Sequence, residues 1–330
     1  MRLCTKWAAP FLLCFLLAVP VAGNAVSCTT QAELSPQDRE ALGAAAQRLA
    51  GAMVQQDFTT LQAALLPAVA AQWDGIRGVV DQSAPLLKGG QIQLRSIYLL
   101  DASTLTAPAD SQFFCSNVNG SLTVTISMRE LPGGRYALVL ADAAGAQLAG
   151  QVAFILGWDK TGSAWKLGGV FIRPGTLDGH DGIWFWERAR EMTKASSPWS
   201  AWFCYETARY LLVPVDFLSS PNLDKLGQEQ GQIKNSPAEA FPYSLPDGAR
   251  TWKIDSVRLD TSLRQADLGV TYESTGVTDP AAVRTEAIAV LSAFLKAQPT
   301  LRQGFHGLWA YASRDGKVSP VMELPMAQIP

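Results

Sequence analysis

"SLTVTISMRE", residues 121–130, alternates Leu122, Val124, Ile126 and Met128 with Thr123, Thr125, Ser127 and Arg129. A period of two marks a strand with one face on a core and one in water. Upstream the apolar period is 3.6, so the change at this point sets the fold class: helices first, then strands, packed as an α+β domain. "RYALVLAD", "QVAFILGW" and "AWKLGGVFI" continue the strands, with turn signals at Pro132-Gly133-Gly134, Ala144-Gly145 and Asp159-Lys160-Thr161-Gly162 between or beside them.

The helical part runs from Ser35 to Leu87. Ser35 is placed to cap a helix with Pro36 at its first position, and Leu42, Ala45, Leu49, Ala52 and Met53 then share one face. Asp57 opens a second helical pattern that Pro67 interrupts, and the Gly89-Gly90 pair closes the helical part. This order of helices and strands, over roughly residues 35–173, resembles the NTF2-like (cystatin-like) fold, a cone shared by ketosteroid isomerase-like enzymes and non-enzymatic exported domains. For an enzyme of that family the resemblance implies a carboxylate base deep in a pocket. Asp57, Asp101, Glu130 and Asp142 are all eligible, and no motif selects among them.

The next segment, "TLDGHDGIWFWERAREMTKASSPWSAWFCYETARYLLVP", predicts an αα-hairpin: Asp181 caps a helix running to Lys194, and Ser197 with Pro198 starts a second that Pro214 stops. Ala201, Tyr205 and Ala208 on the second helix resemble the small–aromatic–small spacing of tetratricopeptide repeats. Phe185 and Ala189 stand where the repeat has Trp and Gly. A solenoid needs about three stacked repeats, and no second copy is present, so the pattern predicts one degenerate hairpin bridging two sheets. "SPNLDKLGQEQG" adds a short helix. Six of the ten tryptophans lie between Trp158 and Trp202. Trp184, Trp186, Trp199 and Trp202 form a candidate cluster that either lines a groove for a hydrophobic or carbohydrate ligand or packs as the core joining the sheets; helical spacing favours packing.

Residues 234–250 carry three prolines and read as a linker or extended arm. Beyond them, "TWKIDSVRLD" and "ADLGVTYES" read as strands and "TDPAAVRTEAIAVLSAFLKAQP" as a capped helix; "GFHGLWAYA" with "SPVMEL" forms a hairpin around Asp315-Gly316 whose last strand, carrying Pro320, is an edge. The expected division is therefore 1–25 signal peptide, 26–175 NTF2-like domain, 176–233 helical hairpin plus short helix, 234–250 linker and 251–330 C-terminal α+β domain. The whole chain resembles uncharacterised exported bacterial proteins with segments like "GHDGIWFW", "AWFCYETARYLL" and "FHGLWAYA".

Chemistry leaves few local signs. The two histidines, His180 and His306, belong to no HExxH and no pair at ligand spacing, which predicts no metal. "DGHDG" reads as a turn followed by a helix cap, and His306 as a hydrogen-bonding strand residue on the side opposite Phe305, Trp309 and Tyr311. GxSxG, GxGxxG, Walker A and CxxC are missing, so no cofactor is expected. A net charge of −2 and a pI near 5.8 give no basic footprint for nucleic acid or an anionic membrane.

Arg2 and Lys6 ahead of an apolar stretch from Trp7 to Ala22, with small residues after it, have the order of a signal peptide, and no transmembrane helix is expected in the mature chain. Export puts Cys28 in an oxidising compartment. Either it pairs with Cys115, or "AVSC" acts as a loose lipobox and Cys28 carries lipid; Cys204 reads as a buried thiol on an apolar helix face. The pairing is the favoured reading. The expected function is an exported, periplasmic or secreted, non-catalytic scaffold or binding protein whose partner is a small hydrophobic molecule or an envelope protein. The alternatives are an isomerase or hydrolase using the NTF2-like pocket, and an envelope-assembly lipoprotein.

Overall fold

The computed structural model describes residues 26–146 and 148–330, so the expected signal segment lies outside the described residues. The chain is α+β. Its first helix, α1 (Pro36–Val54), begins where the Ser35 side chain accepts the Asp38 amide hydrogen and Pro36 needs no partner for an amide it lacks. The Asp57 side chain caps α2 (Phe58–Ala63) in the same way, Pro67 opens a 3-10 turn, and α3 (Trp73–Gln82) with α4 (Ala84–Leu87) completes the layer.

An antiparallel sheet of five strands follows in the order β1-β2-β5-β6-β7, made of β1 (Ser27–Thr30), β2 (Gln91–Asp101), β5 (Arg135–Ala144), β6 (Gly150–Asp159) and β7 (Ala164–Pro174). β3 (Ala109–Ser116) and β4 (Leu122–Leu131) instead pair in a separate small sheet. The stretch 121–130 is thus a strand, but its outermost apolar residue, Leu122, is exposed. One face of the large sheet packs Val139, Phe154 and Leu156 against Leu42, Leu49 and Met53 of α1. The other packs Leu138, Leu140 and Ile155 against Phe113 and Ile126 of the small sheet. Covered on both sides, β5 and β6 are near-continuous apolar runs with no wet face. A Cys28–Cys115 disulfide, Cα atoms 5.1 Å apart, ties β1 to β3.

A two-residue hairpin, β8 (Thr176–Leu177) and β9 (His180–Asp181), turns through Asp178 and Gly179, both at positive φ, so "DGHDG" is a tight turn, and Asp181 then caps α5 (Gly182–Lys194). α6 (Pro198–Leu212) folds back on α5, β10 (Leu218–Ser219) joins the small sheet beside β4, and α7 (Pro221–Gly231) follows. Gln151 of β6 donates to the Leu211 carbonyl at 2.6 Å and Arg173 of β7 to that of Val213 at 2.8 Å, holding the end of α6 on the large sheet.

The last sheet has the order β11-β12-β13-β14-β15: β11 (Tyr243–Asp247), β12 (Arg250–Asp260), β13 (Asp267–Glu273), β14 (Gly307–Arg314) and β15 (Lys317–Pro325). β11 lies inside the expected linker. Its Leu245 is buried, which pins the segment to the sheet, and Pro246 is tolerated because β11 is an edge strand. β13 and β14 are parallel, connected by α8 (Pro280–Ala297), and the other pairs are antiparallel. Leu268, Val270, Tyr272, Leu308 and Ala310 form the dry face, against Phe203, Leu291 and Phe294. Among the described residues no helix is long and apolar enough to cross a membrane.

Candidate functional site

The four tryptophans of the central segment do not line one groove. Trp199 is core, its ring centroid 5.8 Å from Phe241, 5.3 Å from Tyr243 and 5.6 Å from Phe294. Trp186 is buried with its indole N–H donated to Glu229, Trp184 is half-buried and stacked 3.7 Å from His180, and Trp202 is half-buried at the rim of the same core. The carboxylates eligible as a base in the first domain are equally unlike a catalytic pocket. Asp57 and Glu130 are exposed, Asp101 is half-buried and bonds the Ser103 amide, and Asp142 pairs with the exposed Arg95.

A fully buried carboxylate, that of Asp267, lies elsewhere, on the second face of the C-terminal sheet. Parallel register puts Asp267 opposite Gly307, and β15 returns with Glu323 opposite Trp309. His306 stands one residue before β14, fixed by its amide on the Ala266 carbonyl and its own carbonyl on the Met326 amide. Its Nδ1 is 3.0 Å from Asp267 Oδ1 and 3.8 Å from Glu323 Oε1; the three side chains are 29%, 0% and 16% exposed. The ring therefore reaches carboxylates that share the face of Trp309 and Tyr311, not the opposite side, because residue 306 precedes the pleat. Phe305, expected beside those aromatics, is instead in the core, 6.4 Å from Phe203.

Two glycines make room. A Cβ on Gly307 would lie 2.5 Å from Glu323 Oε1, 2.8 Å from the Leu324 carbonyl and 3.0 Å from Asp267 Oδ1; one on Gly269 would lie 2.9 Å from the Tyr311 ring. Tyr311 crosses Gly269 to donate to Asp260 Oδ2 at 2.6 Å, with Arg258 over its ring. Glycine inside a strand commonly marks such close approach.

Burial pushes the Asp267 carboxyl above the usual range, and the charges of Asp178 and Asp260 add to it against the pull of His306. Burial and the Asp267 charge likewise raise Glu323. Burial acts upward on Asp260 too, but hydrogen bonds from Ser262 and Tyr311 outweigh it and leave that carboxyl low. Asp260 is satisfied; its neighbours are not. Among the described residues five buried side-chain polar atoms lack a partner, and three of them, Asp267 Oδ2, Glu323 Oε1 and Trp309 Nε1, belong to this face. Native interiors seldom leave such atoms, so their clustering marks a site. Asp267 and Glu323 belong to no sequence motif: their only local sign is an acidic residue at the start of "DLGV" and inside "VMEL".

Other clefts offer less. One of about 360 Å³ is lined by Arg173, Arg209 and Arg258 with Glu206 and Asp216, and Arg173 is already committed to Asp216 and the Val213 carbonyl. One of about 610 Å³ between β4 and β7 is mostly apolar, lined by Met128, Ile155, Phe171 and Phe217. No family model, curated protein or solved structure matches the chain.

Proposed function

We propose that this chain is an exported, disulfide-stapled, non-catalytic binding protein whose ligand site is the acid–histidine face of the C-terminal sheet. Its three unpartnered buried polar atoms carry the reading, since a fold that leaves them there sustains a cost that a bound ligand would relieve. The disulfide supports export, because such bonds persist in oxidising compartments. The Cys28 sulfur is engaged by Cys115, which weighs against the lipidated alternative. In this reading the N-terminal domain is an NTF2-like scaffold with a filled interior, and the αα-hairpin, tetratricopeptide-like in spacing only, is the joint between the sheets. The apolar cleft of about 610 Å³ gives a small hydrophobic molecule a place, but its acidic group, Asp216, is 87% exposed and so is no buried acid or base for an enzyme.

The test needs no ligand. Glu323→Gln and Asp267→Asn remove buried charge at a functional face, so each raises the melting temperature of the free protein, by about 2–4 °C. A fall in both variants would make the cluster a structural device and sink the reading.

A further inference from the structure

We propose that Asp267, His306 and Glu323 bind one divalent transition-metal ion. The inference rests on the reading that this face is a ligand site, and it names the ligand. One ligand atom from each of the three side chains can be chosen so that all lie within 4.8 Å of one another. The Nδ1 separations, 3.0 Å to Asp267 and 3.8 Å to Glu323, bracket the spacing of about 3.0–3.5 Å between adjacent ligands on bonds of about 2.1 Å. Two of the three ligand separations are thus at or near that spacing before an ion arrives.

The observations agree on what kind of guest fits. Asp267 is wholly buried, and among the described residues neither its Oδ2 nor Glu323 Oε1 has a hydrogen-bond partner, while both carboxylates converge on His306 Nδ1. A doubly charged ion neutralises the pair. The missing Cβ of Gly307 leaves room beside both carboxylates, since one there would lie 2.5 Å from Glu323 Oε1 and 3.0 Å from Asp267 Oδ1. One imidazole and two carboxylates suit Mn, Fe, Co or Zn; Ca²⁺ prefers six to eight oxygens and Mg²⁺ an oxygen shell with water, so neither matches. His306 would bind the ion through its Nδ1 lone pair, with the ring proton on Nε2. Three protein ligands from one side leave the outer positions open to water or to a donor atom of a partner.

Isothermal titration of the untagged, chelator-treated full chain with Zn²⁺ and with Mn²⁺ tests this. The expected result is about one ion per chain for at least one of them, with affinity reduced about 10–100-fold or more in His306→Gln and Glu323→Gln, and no binding of Ca²⁺. The variants' melting temperatures without metal show that they fold. Absence of stoichiometric binding, or binding that both variants retain, overturns the proposal. If metal binding fails while Glu323→Gln still stabilises the free protein, the metal is wrong and the ligand face stands. If Glu323→Gln and Asp267→Asn both destabilise the metal-free protein, the face itself is wrong.

Discussion

In the large N-terminal sheet, Ala137, Val139 and Ala141 of β5 face the helices while Leu138 and Leu140 face the small sheet, and both sides are dry. In the C-terminal sheet only one side is dry, and the other carries Arg258, Asp260, Asp267, Tyr311 and Glu323. The first arrangement uses the sheet as the middle of a sandwich, where every side chain serves stability. The second keeps a face in reserve. If that face is the ligand site proposed above, packing and recognition are divided between two sheets of one chain, and three of the five buried polar atoms without partners among the described residues lie on the second.

The comparison breaks if the staple between β1 and β3 also holds the C-terminal sheet together. Replacing Cys28 and Cys115 together by Ser releases a loop of 87 residues and costs about 4–5 kcal/mol in the chain-entropy account. Urea unfolding gives the loss, and hydrogen exchange should place the new opening in β1 and β3 with β13 to β15 still protected. Uniform loss of protection would mean the sheets do not open separately.

Deleting the ring at the centre of the second core comes next. Trp199→Ala costs about 3–5 kcal/mol, as large buried aromatics do, whereas Trp202→Ala at the rim costs about 1–2 kcal/mol. Equal effects would erase the distinction between core and rim within α6. Gly307→Ala sharpens the contrast at the polar face: a methyl group there meets Glu323, Asp267 and the Leu324 carbonyl, for about 1–3 kcal/mol of overpacking. Gly227→Ala, on α7 with only the Arg209 guanidinium near its Cβ position, should be neutral or stabilising by up to about 1 kcal/mol.

One further effect is electrostatic. The hydrogen bond from Arg190, helped by those from Trp186 and Tyr205, holds Glu229 down at about 2 against its burial. A carboxyl lowered by folding stabilises fully above its unfolded value near 4.5 and loses that contribution as pH falls from there toward 2. Because Arg190 is 39% exposed and Glu229 24%, screening limits the loss to about 1–2 kcal/mol. Glu229→Gln should flatten that limb of the stability profile, and an unchanged limb would put acid sensitivity elsewhere.

How much of this was legible follows from where the periods are clean. Ser35, Asp57, Asp181 and Asp279 cap their helices as their positions promise, each accepting an amide hydrogen. β2 escaped notice because a bulge between Leu94 and Ser96 shifts its buried residues from even to odd positions. β3 escaped because Phe114, exposed beside buried Phe113 and Cys115, hides its alternation. The pairing of Cys28 with Cys115 was readable from compartment and helix face. The cluster of Asp267, His306 and Glu323 was not, since its residues span Asp267 to Glu323 and meet through a parallel pairing of β13 with β14 and an antiparallel one of β14 with β15. His306 was noticed, and its carboxylate partners were not.

That parallel pairing has a kinetic consequence. Asp267 and His306 are 39 residues apart and become neighbours only after α8 has crossed over and docked β14 beside β13. Closing such a loop is slow relative to hairpin formation. The ring of ligating atoms should thus be among the last things the folding chain assembles and absent from its transition state. An ion held there would leave the folding rate nearly untouched and act on the reverse step, lengthening the lifetime of the native protein.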